Sequence, residues 1–250
     1  MEKFTKIALI IASIMAGIGI ICLIASMALG LTWRTFSNMV REGKFSFGYD
    51  GDPFYSELSE GSTTKVEEEC KGLDIEFGAG TLKIYYDDVE QIQIQQEDVP
   101  GFKWYVEDRA LHIEGGNKRG IFGSDGTLIV IIPQNMKFDE VDLEVGAGEA
   151  EVKGVIANTM DIEVGAGQAN ITNLDIQNLN SETGTGELYV ELVGSEADYN
   201  YDVECGIGEI KINDNSFGGL GSEQHITNPG ASRFLSLECG IGQVQVAFQE

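Results

Sequence analysis

Apolar and polar residues alternate through most of the second half of the chain, and the alternation is interrupted by paired glycines. The repeated pattern is apolar-x-apolar-Glu-x-Gly-x-Gly-x-apolar-x-apolar. Alternation with a period of two residues is typical of a β-strand with one buried face. The six copies are LDIEFGAGTLKI from Leu73, VDLEVGAGEAEV from Val141, MDIEVGAGQANI from Met160, LNSETGTGELYV from Leu179, YDVECGIGEIKI from Tyr201 and LSLECGIGQVQV from Leu235.

The spacing of these copies predicts a repeat architecture. The first glycines of successive copies are 68, 19, 19, 22 and 34 residues apart. A period near the shortest of these values is that of one coil of a β-solenoid, and the longer intervals then hold insertions or irregular coils. We therefore predict an all-β, single-stranded β-solenoid (β-helix-like) with about 19–22 residues per coil.

The phase of the alternation predicts which side chains face the core. The three alternate positions before each first glycine are apolar, as at Val141, Leu143 and Val145, with Ser181 and Thr183 as the clear polar exceptions. The residue between the glycines is predicted to keep this inward phase, and a corner is predicted at the second glycine. Glycine suits a corner because it adopts unusual backbone conformations and allows coils to stack closely.

The domain that carries these repeats is predicted to span residues 65–250. Residues 65–133 repeat poorly and are expected to form an initial coil with capping strands, whereas residues 134–250 carry most of the glycine repeats. A cap prevents the open end of a solenoid from pairing with strands of another molecule.

The N-terminal part of the chain predicts a membrane anchor. Residues 7–33 carry no charge and are long enough for a helix to cross a hydrocarbon core of about 30 Å. We expect residues 1–6 to form a short cytoplasmic tail and residues 34–64 a juxtamembrane linker. The basic residues that flank the helix nearly balance, and the long following domain favours an extracytoplasmic location. A cleaved signal peptide with Ser26 and Ala28 at its cleavage site is the alternative.

The charge of the chain restricts its partners. The sequence has 41 acidic and 16 basic residues, a formal net charge of -25. A nucleic-acid partner is excluded on this basis, because such binding needs basic residues to replace counterions at phosphates. Docking on an anionic lipid surface is disfavoured for the same reason. The membrane, through residues 7–33, and an unidentified protein or cell-surface partner are the expected contacts.

The outward positions of the repeats are predicted to form two columns of acidic side chains. Neighbouring strands lie about 4.8 Å apart, so the carboxylates of stacked coils repel one another unless solvent, a cation or a basic partner offsets them. No cofactor is expected other than a Ca²⁺ ion bound by these columns, because hard cations prefer carboxylate oxygens. A solvated face copied by repeat duplication is the alternative. The candidate metal ligands are Glu144, Glu163, Glu182, Glu204, Asp142, Asp161 and Asp202.

Other chemistry-bearing residues give weaker signals. Cys205 and Cys239 occupy the same inward repeat position and are expected to stack as buried free thiols. The Gly-x-Gly pairs lack the third glycine of a dinucleotide fingerprint. No catalytic residues are predicted, and we expect a non-enzyme. A carbohydrate-active enzyme that uses the paired acids is the alternative.

The segment TLIVIIPQNMKFDEVDLEVGAGEAEVKGV at residues 127–155, with the Gly-x-Gly strands that follow, resembles a bacterial domain family of unknown function. This is the "putative adhesin" family of β-strand repeat-containing, LiaG-like envelope proteins, and the resemblance covers roughly residues 65–250. It implies a solenoid fold and no catalytic residues. The function expected is that of a membrane-anchored, extracytoplasmic adhesin-like or envelope interaction and sensing module. A cytoplasm-facing scaffold beside a membrane signalling system is the alternative.

Overall fold

The computed structural model describes residues 63–116, 126–218 and 221–249, which form β-strands and one short 3₁₀ helix. The predicted tail at 1–6, the predicted membrane helix at 7–33 and nearly all of the predicted linker lie outside these residues. Within the described ranges, no helix has the length and apolar character needed to cross a membrane. The all-β prediction is confirmed.

The strands follow one another along the chain with short connections. The 3₁₀ helix η1 spans Glu196–Asp198. In chain order the strands are β1 (Thr63–Lys65), β2 (Gly72–Phe77), β3 (Thr81–Asp87), β4 (Gln93–Glu97), β5 (Lys103–Glu107), β6 (Ala110–Gly115), β7 (Thr127–Pro133), β8 (Phe138–Val145), β9 (Glu149–Lys153), β10 (Ala157–Val164), β11 (Gln168–Leu174), β12 (Asn178–Thr183), β13 (Glu187–Val193), β14 (Tyr199–Cys205), β15 (Glu209–Ile212), β16 (Asn215–Gly218), β17 (Ser222–Ile226), β18 (Arg233–Cys239) and β19 (Gln243–Gln249).

The strands form two sheets, and each coil of the chain supplies one strand to each sheet. Among the described residues, sheet B has nine strands in the order β17-β14-β18-β12-β10-β8-β2-β6-β5, and sheet A has ten in the order β1-β4-β7-β3-β9-β11-β13-β19-β15-β16. A coil enters along sheet B, bends at its Gly-x-Gly corner and returns along sheet A, as β8 and β9 do. Neighbouring coils pair in parallel, and equivalent residues of the repeats lie opposite each other. Each end is covered by antiparallel strands.

The spatial order of the coils differs from the chain order at both ends. The coil β18–β19 lies between β12–β13 and β14–β15, although it is the last in the chain. At the other end β6–β7 forms a further coil outside β2–β3, and β8–β9 pairs with the inner side of β2–β3. Thus residues 65–133 contribute the strand pairs of two coils, one more than the repeat pattern predicts.

The core lies between the two sheets. Leu73, Ile75 and Phe77 of β2 point inward from sheet B, and Leu82 and Ile84 of β3 point inward from sheet A. These residues belong to a single cluster of buried apolar side chains that draws on all the coils. The burial pattern confirms the predicted inward phase before each first glycine.

The residue between the two glycines was predicted to point inward, and for most coils this is wrong. Ile207 and Ile241 are 66% and 63% exposed, and Ala147 is exposed as well. The second glycine occupies the inward position instead, as at Gly148. The reason is that the chain bends at all three residues of the Gly-x-Gly corner and not only at the second glycine.

Close approach of the coils explains why the corners require glycine. A Cβ atom on Gly165 would lie 2.8 Å from the carbonyl oxygen of Gly146, and one on Gly148 would lie 2.8 Å from that of Gly80. Backbone bonds such as that from the Ala166 amide to the Gly146 carbonyl, 2.8 Å, hold the corners together. Among the Gly-x-Gly glycines Gly80 alone has a positive φ, 114°. Thus stacking distance, more than backbone freedom, imposes glycine here.

Candidate functional site

A column of glutamates crosses sheet B from one side to the other on its outward face. Each member lies opposite the next in the strand register, and six of the eight occupy the same place in their repeat. We call this set the Glu column. It consists of Glu114, Glu76, Glu144, Glu163, Glu182, Glu238, Glu204 and Glu223, in spatial order.

A second column runs beside it, two residues earlier on each parallel strand. Its middle is acidic at Asp74, Asp142 and Asp161, and then becomes neutral. We call this set the Asp column. It consists of His112, Asp74, Asp142, Asp161, Asn180, Ser236, Asp202 and His225, in spatial order. Both predicted columns are thus assembled by the fold, with Asp202 separated from the other aspartates.

Basic and aromatic residues lie at the ends of the two columns. The Lys103 ammonium is 2.6 Å from a carboxylate oxygen of Glu114. His112 Nδ1 is 2.8 Å from Asp74 Oδ2, and the ring of Tyr105 stacks on the His112 ring with centroids 4.7 Å apart. At the opposite end His225 Nδ1 contacts Asp202. The Glu column therefore has a basic partner at its Glu114 end, and the Asp column has a histidine in contact with an aspartate at each end.

The middle of the Glu column lacks such compensation. Within the part of the chain that the structure describes, Glu144, Glu163 and Glu182 have no ion-pair partner, and all three are exposed. Like charges in directly opposed positions of a sheet are destabilising. A cationic partner that reached this stretch would relieve the repulsion.

Burial and crowding change the protonation of the acids around Asp142. Partial burial, followed by the charges of Glu140 and Asp161, raises the pKa of Asp142 to about 6. Partial burial also raises the pKa of Glu76, and the neighbouring Glu114 adds to the effect. The folded protein thus keeps Asp142 and Glu76 ionised at a cost in free energy.

One group of carboxylates lies close enough to share a cation. Oxygens of Glu140, Asp142 and Asp161 lie within 4.8 Å of one another. Carboxylate oxygens are the ligands that Ca²⁺ takes, although it takes 6–8 of them. The other predicted ligands, Glu144, Glu163, Glu182, Glu204 and Asp202, are not part of this group. The fold therefore brings two of the seven predicted residues together with one that the repeat pattern did not indicate.

Several residues of this face were missed in the sequence. Glu140 lies outside the repeat pattern because the equivalent positions on the next coils are Thr159 and Asn178. His112 and Glu114 belong to β6, whose Leu-His-Ile-Glu repeats the Leu-Asp-Ile-Glu of β2. That signal was available, but the insertion after β6 separates it from the rest of its coil.

A groove on the same face lies where β14, β17 and β18 meet. It encloses about 410 Å³. Its walls include Asp202, Glu204, Glu223, His225 and Glu238. The groove gives the acidic face a concave region at one end, lined by four carboxylates and one histidine.

The family of the chain follows from its repeats. The sequence profile described as Toastrack DUF4097 matches residues 70–250. The chain belongs to this family. The match confirms the resemblance to adhesin-like domains of unknown function, and the two sheets with their acidic columns are thus part of a Toastrack domain.

Solved structures of two bacterial proteins are similar to this chain to different degrees. A candidate cell adhesion protein of Clostridium sporogenes is 21% identical, and the match covers 76% of this chain and 99% of that chain with a TM-score of 0.56. A candidate adhesin of Bacteroides fragilis is 13% identical, with coverage of 74% and 95% and a TM-score of 0.32. None of the curated proteins matches the chain significantly. The Clostridium structure supports the fold of the Toastrack domain.

Proposed function

We propose that the protein is a membrane-anchored, non-catalytic interaction module whose Toastrack domain lies outside the cytoplasm. The uncharged run at residues 7–33 supports the anchor. The adhesion role suggested for the Clostridium sporogenes protein of the same fold agrees with an adhesin-like or envelope-sensing function.

The acidic face of sheet B is the proposed contact surface. The observation that carries the proposal is the Glu column, which is compensated at the Lys103 end and uncompensated in its middle. Each carboxylate of the Glu column can attract a lysine or arginine side chain of such a partner. These contacts also relieve the repulsion between neighbouring carboxylates. The partner is therefore a cationic protein or cell-surface component. In addition, the carboxylates of Glu140, Asp142 and Asp161 bind Ca²⁺.

Charge-matched variants test the surface. A lysine-rich peptide is titrated into the full-length chain in detergent at low and high salt. Replacement of three carboxylates of the Glu column, Glu144→Gln with Glu163→Gln and Glu182→Gln, is expected to weaken binding about tenfold or more. The control removes three charges from sheet A: Glu149→Gln with Glu151→Gln and Glu187→Gln. Equal weakening by both variants would attribute binding to net charge and refute the proposed surface.

Calcium is tested separately by thermal unfolding. Millimolar CaCl₂ is expected to raise the midpoint of the full-length chain, because a ligand of the native state stabilises it. MgCl₂ at the same concentration controls for screening. The substitution Asp161→Asn should abolish the part of the rise in unfolding midpoint that CaCl₂ causes and MgCl₂ does not. An unfolding midpoint that responds equally to both salts argues against a calcium site and does not bear on the contact between the acidic face and a cationic partner.

Protease treatment of intact cells tests the location. Loss of the domain from intact cells, with a cytoplasmic marker retained, is expected. Lysed cells control for intrinsic resistance to cleavage. Protection together with the marker would instead support the cytoplasm-facing scaffold.

A further inference from the structure

The outward face of sheet A differs in chemistry from the acidic face. Its central strands, β9, β11, β13 and β19, carry a shallow groove of about 230 Å³. The polar side chains that line it are mainly amides with one aromatic ring. They are four amides, two carboxylates and one tyrosine: Glu149, Gln168, Asn170, Glu187, Tyr189, Gln243 and Gln245.

The strand register arranges these side chains as two parallel rows. Gln168 lies opposite Glu187, which lies opposite Gln243 in the next coil. In the second row Tyr189 lies between Asn170 and Gln245. Each coil therefore presents the same two outward positions, at intervals of about 4.8 Å along the stack.

Charged pairs continue the rows at both ends. Lys83 pairs with Glu151 at 4.0 Å on one side, and Lys211 pairs with Glu209 at 3.0 Å on the other. Between them the rows contain no basic residue, so an anionic ligand would find no counter-charge and would meet the repulsion of the acidic chain. A neutral ligand avoids this cost.

The side chains between these two charged pairs are suited to hydrogen bonding with hydroxyl groups. An amide side chain both donates and accepts hydrogen bonds, as a sugar hydroxyl does, and Gln168 already donates to Glu187 at 3.1 Å. The half-buried ring of Tyr189 offers a flat apolar surface beside these polar groups. This combination of an aromatic plane and surrounding amides is suited to a pyranose ring.

We propose that this groove binds a neutral β-1,4-linked glycan whose chain crosses the strands of sheet A. A sugar unit of such an extended chain is about as long as the strand spacing of about 4.8 Å, so successive sugars meet successive coils. One sugar stacks on Tyr189, and its neighbours accept and donate hydrogen bonds at the amides of the adjacent coils. This site lies on the sheet opposite the acidic face and does not depend on it.

Calorimetric titration of the full-length chain with chitohexaose and with cellohexaose tests the site. The detergent must lack a sugar headgroup, which would compete. Saturable binding of at least one hexasaccharide is expected, with maltoheptaose, whose α-linked chain curves, bound at least tenfold more weakly. Absence of binding of both hexasaccharides at millimolar concentration, or equal binding of maltoheptaose, overturns the proposal.

Variants locate the binding. Tyr189→Ala is expected to weaken it about tenfold, the equivalent of about 1.4 kcal/mol, and Tyr189→Phe to retain it, because the ring remains. The exposed double variant Gln168→Ala with Gln245→Ala should also weaken binding without unfolding the domain, which its unfolding midpoint verifies. Gln177→Ala, which changes an exposed amide outside the groove, is the control and should bind normally. Unchanged affinity in both the Tyr189→Ala and the double variant would place the glycan elsewhere and refute the site.

Discussion

Cys205 on β14 lies in register with Cys239 on the neighbouring parallel strand β18, and both thiols are buried. The two residues belong to coils that carry the same Cys-Gly-Ile-Gly corner. The contact between them lies where the coil β18–β19 packs against the coil β14–β15. The coil β14–β15 comes earlier in the sequence but lies nearer the end of the stack. The predicted stacking of these cysteines is confirmed, and it occurs where the coil order is reversed.

These thiols are expected to resist alkylation while the protein is folded. Burial, together with the neighbouring Cys205, raises the pKa of Cys239 to about 11, so the reactive thiolate is scarce at neutral pH. Iodoacetamide labelling of the full-length chain, followed by mass spectrometry, should modify both residues only after denaturant is added. Labelling of the folded chain at the rate of an exposed thiol would contradict the burial of the pair.

The repeat pattern predicts much of this fold because it combines two independent signals. Alternation indicates strands with one buried face, and a spacing of 19 residues places Glu144, Glu163 and Glu182 in one column. Both the coil and the columns follow from these signals without any knowledge of long-range contacts.

The order of the coils does not follow from the pattern. Coils with the same alternation offer equivalent backbone edges, so no local signal shows that β18 pairs with both β12 and β14. The coil β6–β7 was missed for another reason. Its two halves repeat the Leu-x-Ile-Glu and Gly-Thr-Leu segments of β2 and β3, but residues 116–125 separate them.

Acidification is expected to reduce the electrostatic destabilisation around Asp142. Its pKa of about 6 in the folded protein exceeds the ordinary value of 3.8, so the folded state binds the proton more tightly than the unfolded state. The contribution of Asp142 to stability therefore falls as the pH rises from about 4 to about 6, and the loss persists above that range.

Asp142→Asn should consequently stabilise the protein at neutral pH and have little effect near pH 4. After allowance for solvent screening at this half-exposed site we expect about 1 kcal/mol, which corresponds to about 2–4 °C in the unfolding midpoint. Thermal unfolding at several pH values measures the difference from the wild type. Glu149→Gln on sheet A controls for the loss of one charge, and an equal gain in that variant would count against a local cause.

A methyl group at a corner glycine should destabilise the stack. In Gly165→Ala the new Cβ would lie 2.8 Å from the Gly146 carbonyl oxygen, so the coils must separate locally. Overpacking of this kind costs about 1–3 kcal/mol. Chemical denaturation gives the free energy of unfolding, and Ala166→Ser at the exposed neighbouring position serves as the tolerated control. A fully stable Gly165→Ala protein would mean that the corners are not tightly stacked.

The buried hydroxyl of Thr183 should be dispensable. Thr183 is 1% exposed, and its hydroxyl has no hydrogen-bond partner among the described residues. Thr183→Val keeps the shape and removes the unsatisfied polar atom, so we expect a gain of about 1 kcal/mol. The exposed Thr185 two residues later provides the matched control, since Thr185→Val should leave the unfolding midpoint nearly unchanged. A loss of stability in Thr183→Val would reveal a partner for the hydroxyl.

A positive charge in the middle of the Glu column should stabilise the domain. Glu163 lies directly opposite Glu144 and Glu182, so Glu163→Lys converts two repulsive contacts into attractive ones. The expected gain is about 0.5–1 kcal/mol at low salt, and it should diminish as salt is added because exposed charges are screened.

Two further variants separate attraction from the removal of repulsion. Glu163→Gln should give a smaller gain than Glu163→Lys, because it abolishes the repulsion without adding attraction. Glu187→Lys on sheet A should give none of this gain, since its paired residues Gln168 and Gln243 are neutral. If the unfolding midpoints of Glu163→Lys and Glu163→Gln coincide at low salt, neighbouring members of the column do not interact. The repulsion that a cationic partner is proposed to relieve would then be absent.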